Sequence, residues 1–176
     1  MGVSELLQHV ERHLGPRIRT VPASSYAIGV HAQPDMVTAV TDGMRRHSLQ
    51  SALPLEFACS SRPGQEESAI ALVSLFVDTN LRDGAEVEYD DGLLTDTPLL
   101  PSTSVQGLLA APHPYADEMF NLFRTPTGEL SLQFITLVPV TAAEGRHLRS
   151  HETGELFELW ESLGTDLLDL HRASAI

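Results

Sequence analysis

Two pairs of histidines four residues apart are the residues best spaced for chemistry: His9 with His13, and His147 with His151. On a helix that interval puts both imidazoles on one face, the geometry that helical metal sites use. In His9-Val10-Glu11-Arg12-His13 the glutamate stands two places after the first histidine, whereas the zinc-protease motif needs it directly after. Glu144, His147 and His151 could line one helical face as an oxygen and two nitrogens, the donors of a metal-dependent hydrolase. Such a site still needs a third histidine or a carboxylate cradle, and none is marked. Solvated helix faces explain both pairs, so no metal and no cofactor is expected.

The acids at Glu86, Glu88, Asp90 and Asp91 lack the Asp-x-Asx-x-Asx-Gly pattern of a calcium loop. There is no G-x-S-x-G, no phosphate-binding glycine loop and no C-x-x-C, so enzyme motifs are silent. The single cysteine, Cys59, excludes an internal disulfide and any multi-cysteine zinc site.

Charge is more informative. The 176 residues carry a formal −13, and all eleven basic residues are arginine, which fits the codon bias of a GC-rich genome. Residues 1–62 hold six arginines and five acids, while residues 63–176 hold five arginines and nineteen acids. An acidic chain repels phosphate backbones, so nucleic acid is disfavoured as a partner. A basic protein partner is favoured through steered association. No apolar run approaches the ~18 residues of a membrane span. The opening Met1-Gly2-Val3-Ser4-Glu5 carries no basic leader, so a cytoplasmic domain is expected.

The elements that must position these side chains follow from periodicity. Ser4 starts a helix carrying Leu6, Leu7, Val10 and Leu14, ended by Gly15-Pro16. Tyr26–Ala32 and Met36–Thr41 read as strands, with Asp42-Gly43 as a turn. Leu53–Cys59 is the cleanest strand, with Cys59 as a small core residue; Pro54 suggests a strand start or an edge. Ala69, Ile70, Val73, Phe76, Val77 and Leu81 stripe a long helix stopped by Asp83-Gly84. Residues 83–103 read as an acidic loop with one short strand at Ala85–Tyr89. Val105–Ala110 is a strand, and Met119–Phe123 with Leu130–Val138 form a hairpin over Thr125-Pro126-Thr127-Gly128. Thr141 and Thr153 cap two closing helices. Helices and strands do not alternate strictly, which disfavours a doubly wound sheet. One α+β domain over residues 1–176 fits, its largely antiparallel or mixed sheet of about six strands flanked by helices.

Five stretches in fixed order resemble the suppressor of fused domain family. They are Thr38–Met44, Leu53–Phe57, the helix Ala69–Leu81 with its exit Asp83–Val87, the strand Gly128–Thr141 with Glu144 behind it, and Asp169–Ser174. Together they span most of residues 25–174. Two departures stand out. The long helix lacks the tryptophan with which many members open it, and Gly145 replaces a usual bulky apolar residue after Glu144.

The resemblance implies binding rather than turnover. Animal members grip a transcription-factor peptide between this domain and a second one, and the resemblance here extends over the first, so that clamp is not expected to carry over whole. Bacterial single-domain relatives often serve as immunity proteins that neutralise polymorphic toxins, and an acidic inhibitor suits a basic toxin. On that reading the chain is not an enzyme. Its partner surface is expected at Glu86, Glu88, Asp90 and Asp91, with the turn Asp42, Gly43, Met44 and Arg45. The alternative is a regulatory or scaffold domain that takes a peptide by strand addition at a sheet edge.

Overall fold

The computed structural model describes residues 4–49 and 51–176; Met1–Val3, whose sequence was read as lacking a leader, lie outside them. Helix α1 (Glu5–Leu14) begins where Ser4 accepts a hydrogen bond from the Leu7 N–H at 3.2 Å. Strands β1 (Arg17–Pro22), β2 (Ala27–Ala32), β3 (Val37–Asp42) and β4 (Leu55–Ser61) lead into helix α2 (Glu66–Asp83). Then come β5 (Gly92–Leu94), β6 (Val105–Ala111), β7 (Leu122–Arg124) and β8 (Leu130–Thr141), followed by α3 (Ala142–Leu148) and α4 (Thr153–Leu163).

All eight strands join one sheet in the order β1-β2-β3-β4-β8-β6-β5, with β7 also paired to β8. Every pairing is antiparallel except β4 with β8, which runs parallel with Phe57 opposite Ile135. Pro54 therefore marks the start of a central strand, not an edge.

Alternation along the strands sorts side chains onto two faces. Phe57, Cys59, Ile135 and Leu137 pack with Ala69, Leu72, Val73 and Phe76 of α2. On the opposite face Val40, Ala58, Leu132 and Phe134 meet Val10 and Leu14 of α1. Val138 and Val140 continue that face under Leu156 and Trp160 of α4. With helices on both sides, all seven residues of β4 are buried, Glu56 included.

Several elements differ from the sequence expectation. The sheet has eight strands because β1 and β5 were not foreseen. β1 is a polar, mostly exposed strand stabilised by its pairing to β2, and β5 has only three residues. No strand runs over Ala85–Tyr89. The backbone instead turns at Asp90, whose φ is +73°, and pairing begins at the adjoining residues. The first arm of the late hairpin shortens to β7, because Asp117 caps a 3-10 turn at Glu118–Asn121 by accepting from the Met119 N–H at 2.8 Å. Thr141 caps α3 with a full capping box, whereas Thr153 is the first helical residue of α4 and Glu152 the cap. Gly145 does not prevent α3 from forming. A Cβ there would stand 2.8 Å from the Leu94 Cδ2 atom, so the small residue makes room for β5.

Candidate functional site

Two buried carboxylates organise the motif residues. Glu56 on β4 has no exposed surface. Its carboxylate accepts from the Thr41 hydroxyl at 2.6 Å, from the N–H groups of Gly43 and Met44 at 2.9 and 3.1 Å, and from the Arg45 guanidinium. Gly43 has φ +122°, a conformation open to glycine, and this curl aims the following N–H groups at the carboxylate. Asp42 binds both Arg17 and Arg45. Burial alone would raise its pKa, but the Arg45 and Arg17 contacts outweigh it and hold the carboxyl below its ordinary range. Gly43 and Met44 are buried, Met44 completely. Of the turn expected to meet a partner, Asp42 and Arg45 alone keep substantial exposure, and both are tied to this knot.

Glu144 forms the second knot. It accepts from Arg172 at 2.6 and 2.8 Å, from the Trp160 indole at 3.1 Å, and from the N–H groups of Thr141 and Ala175 at 2.8 and 3.1 Å. Burial opposes the charge, yet these donors bring its pKa down to about 2. Arg172 also donates to the Pro139 carbonyl, and Ser174 shares a 2.7 Å hydrogen bond with Thr141. The closing Asp169–Ser174 motif is thus a latch: Asp169 meets Arg62, Gln65 and the His171 N–H, while Arg172 and Ser174 fasten the end of β8. Glu144 is turned away from His147 and His151, so these three residues do not share the helical face on which they could have held a metal. The cause is the capping box, which draws Glu144 back to the Thr141 N–H.

The histidine pair on α1 is not a solvated face either. His9 lies among Phe120, Phe123 and Phe134 and donates to the Phe120 carbonyl at 3.0 Å. Burial lowers its pKa.

A Ser60–His113 contact at 2.9 Å has the reach of a nucleophile and base. Its polarity is reversed. The His113 Nδ1 atom accepts from the N–H groups of Tyr115 and Ala116, so Nε2 carries the proton and donates to Ser60. Burial lowers the His113 pKa to about 4, and the hollow beside Ser60 measures only about 10 Å³. Cys59 is fully buried with its thiol pushed up to about 12 by burial. Neither residue is poised to attack a substrate.

The acidic segment is different. Glu86, Glu88, Asp90 and Asp91 are all exposed, and among the described residues none forms an ion pair. Their backbone is nevertheless pinned. Val87 is buried, the Tyr89 hydroxyl donates to the Phe134 carbonyl at 3.1 Å, and Asp90 and Asp91 exchange 2.8 Å backbone hydrogen bonds with Ala110 of β6. Asp91 also accepts from the Glu88 N–H at 2.7 Å. Four strand spacings, on the order of 20 Å, separate this ridge from the Asp42–Arg45 turn, so the two expected contact regions are not brought together.

Sequence reasoning weighed Glu144 only as a metal donor and as a motif residue, and missed both its pairing with Arg172 and that of Glu56 with Arg45. For Glu56 the signal was present: an acid inside an otherwise apolar strand demands a charged partner.

Comparison with known proteins agrees on one family. Residues 22–173 match the family described as suppressor of fused protein (SUFU). A suppressor of fused homologue from Neisseria gonorrhoeae superposes with a TM-score of 0.68 at 20% identity, covering 97% of this chain and 94% of that one. The Sufu–Fu complex structure matches with a TM-score of 0.68 at 14% identity over 97% of this chain and 89% of that one. Drosophila Suppressor of Fused matches at 0.60 and 16% identity, over 85% of this chain and 42% of that one. Among curated proteins none matches.

Proposed function

This chain belongs to the suppressor of fused family, and from that premise we propose that it is a non-enzymatic protein-binding domain acting as an immunity protein against a basic toxin. The observation that carries the reading is the ridge of Glu86, Glu88, Asp90 and Asp91: four exposed acids, free of ion pairs among the described residues, on a backbone pinned by Val87, Tyr89 and Ala110. Carboxylates carried on a backbone already fixed before contact leave only their side chains to order on binding, and their field speeds encounter with a basic surface. The polar network around His113 and the saturated carboxylates of Glu56 and Glu144 serve structure, which supports binding over turnover. Asp42 and Arg45 are secondary contact candidates, while the burial of Gly43 and Met44 leaves them as supports.

The test is binding of the purified chain to the product of the adjacent gene, across a salt series. The expected result is an association rate that falls steeply with salt and falls again in a Glu86→Lys/Glu88→Lys variant. Co-expression should relieve the toxicity of that product. Absent binding, or binding indifferent to both salt and charge reversal, would sink the reading.

A second reading, peptide capture by strand addition, draws support from β1. It ends the sheet, and its Ile18 is 61% exposed. Amide exchange separates the two: a peptide added there slows the β1 amides, whereas a partner on the acidic ridge leaves them unchanged.

A further inference from the structure

We propose that His147, His151 and Glu155 form a surface site for a borderline divalent cation such as zinc. The sequence expectation of no metal rested on solvated helix faces and on the lack of a further histidine or carboxylate beside Glu144, His147 and His151. With Glu144 turned away, Glu155 stands as the carboxylate donor. One ligand atom from each residue lies within 4.8 Å of the others. They come from three consecutive segments: His147 from the end of α3, His151 from the connector, and Glu155 from the first turn of α4. The extended Glu152 cap, φ −72° and ψ 148°, bends the chain between the helices.

Two details favour a cation over an idle cluster. The imidazoles stack in parallel, with centroids 3.9 Å apart and planes 2° apart, and because a metal lies in the plane of each ring it binds, the exposed His151 must turn out of the stack to share an ion with His147. The His151 Nδ1 atom lies 3.1 Å from the His147 carbonyl and 2.9 Å from the Ser150 hydroxyl; when it donates to the carbonyl, Nε2 keeps a lone pair. A backbone carbonyl on the far nitrogen is the usual outer support of a metal-bound histidine. Finally, the His147 Nε2 atom is buried and has no hydrogen-bond partner among the described residues. A buried polar atom of that kind calls for a ligand.

Two nitrogens and one carboxylate suit zinc, whereas calcium and magnesium need shells of oxygen. Tetrahedral bonds of about 2.0–2.2 Å place ligand atoms roughly 3.4 Å apart, so the cluster must contract. His151 and Glu155 are exposed and can rotate to do so. Three protein ligands leave one position for water or for a side chain from a bound protein.

The test is calorimetric titration of the chelator-treated full chain, free of any histidine tag, with zinc and separately with magnesium. One equivalent of zinc and no saturable magnesium are expected. His151→Ala and Glu155→Gln should each weaken zinc binding at least tenfold without shifting the thermal midpoint of the metal-free protein. A variant of the exposed His171, His171→Ala, should bind as the parent does. Absence of saturable zinc binding, full affinity in either His151→Ala or Glu155→Gln, or loss of binding in the His171→Ala variant would overturn the site.

Discussion

Arg172 sets both terminal nitrogens of its guanidinium against the two oxygens of Glu144, at 2.6 and 2.8 Å, with the carboxylate fully buried. This contact joins the far end of the chain to the turn between β8 and α3.

Removing one partner of such a pair strands a buried charge. Arg172→Met should therefore cost about 3–5 kcal/mol in urea unfolding. The double variant Glu144→Gln/Arg172→Met should lose less than Arg172→Met alone, since no unpaired charge remains. A double variant as unstable as the single one would show that the pair acts through packing alone.

Acid should weaken the fold in two stages. Burial depresses the pKa values of His9, His13, His31 and His113, the last from 6.5 to about 4. Between those values the unfolded chain takes up protons that the folded chain refuses, so stability declines as pH falls from about 6.5 to about 4. Glu144 then adds its own loss: its folded pKa of about 2 lies below the ordinary 4.5, and its contribution disappears across that interval. Unfolding midpoints measured from pH 7 to pH 2 should follow this course. The His113 imidazole should stay neutral by NMR at pH 5; ordinary titration near 6.5 would contradict its burial.

Cys59 should resist thiol reagents in the folded protein and react once denaturant is added, because it is buried and its pKa stands at about 12. Rapid labelling of the native chain would mean that β4 opens far more readily than its packing implies.

Gly145→Leu should destabilise by about 1–3 kcal/mol through overpacking against Leu94. Pairing it with Leu94→Ala should recover part of the loss, read by thermal or chemical unfolding. An unchanged midpoint in the single variant would mean that β5 is free to move aside.

Much of the architecture was legible because apolar periodicity reports burial directly. The stripe of α2 and the alternation of β4 both appear where the residues place them. β1 was invisible for the converse reason: Arg17, Arg19 and Thr20 look like a loop until β2 supplies their partners. The motif residues were recognisable by position but not by role. Glu56, Glu144 and Arg172 meet residues far away in sequence, and spacing along the chain carries no record of which arginine closes on which acid. The acidic ridge was visible as composition, whereas its anchoring through Tyr89 to Phe134 and through Asp90 and Asp91 to Ala110 depends on two strands that follow it, β8 and β6. Glu155 escaped notice because its meeting with His151 depends on the bend at Glu152, which helical periodicity does not describe.

The single parallel pairing of β4 with β8 divides the sheet into an antiparallel meander, β1 to β4, and a second antiparallel half built on β8, sewn along one seam. During synthesis the earlier meander leaves the ribosome with β4 as a raw, strongly apolar border, and its proper neighbour arrives only after α2, β5, β6 and β7 have been made. Closing so long a loop is entropically slow. Nascent chains halted before β8 would therefore carry an adhesive border and require chaperone protection that the finished protein does not.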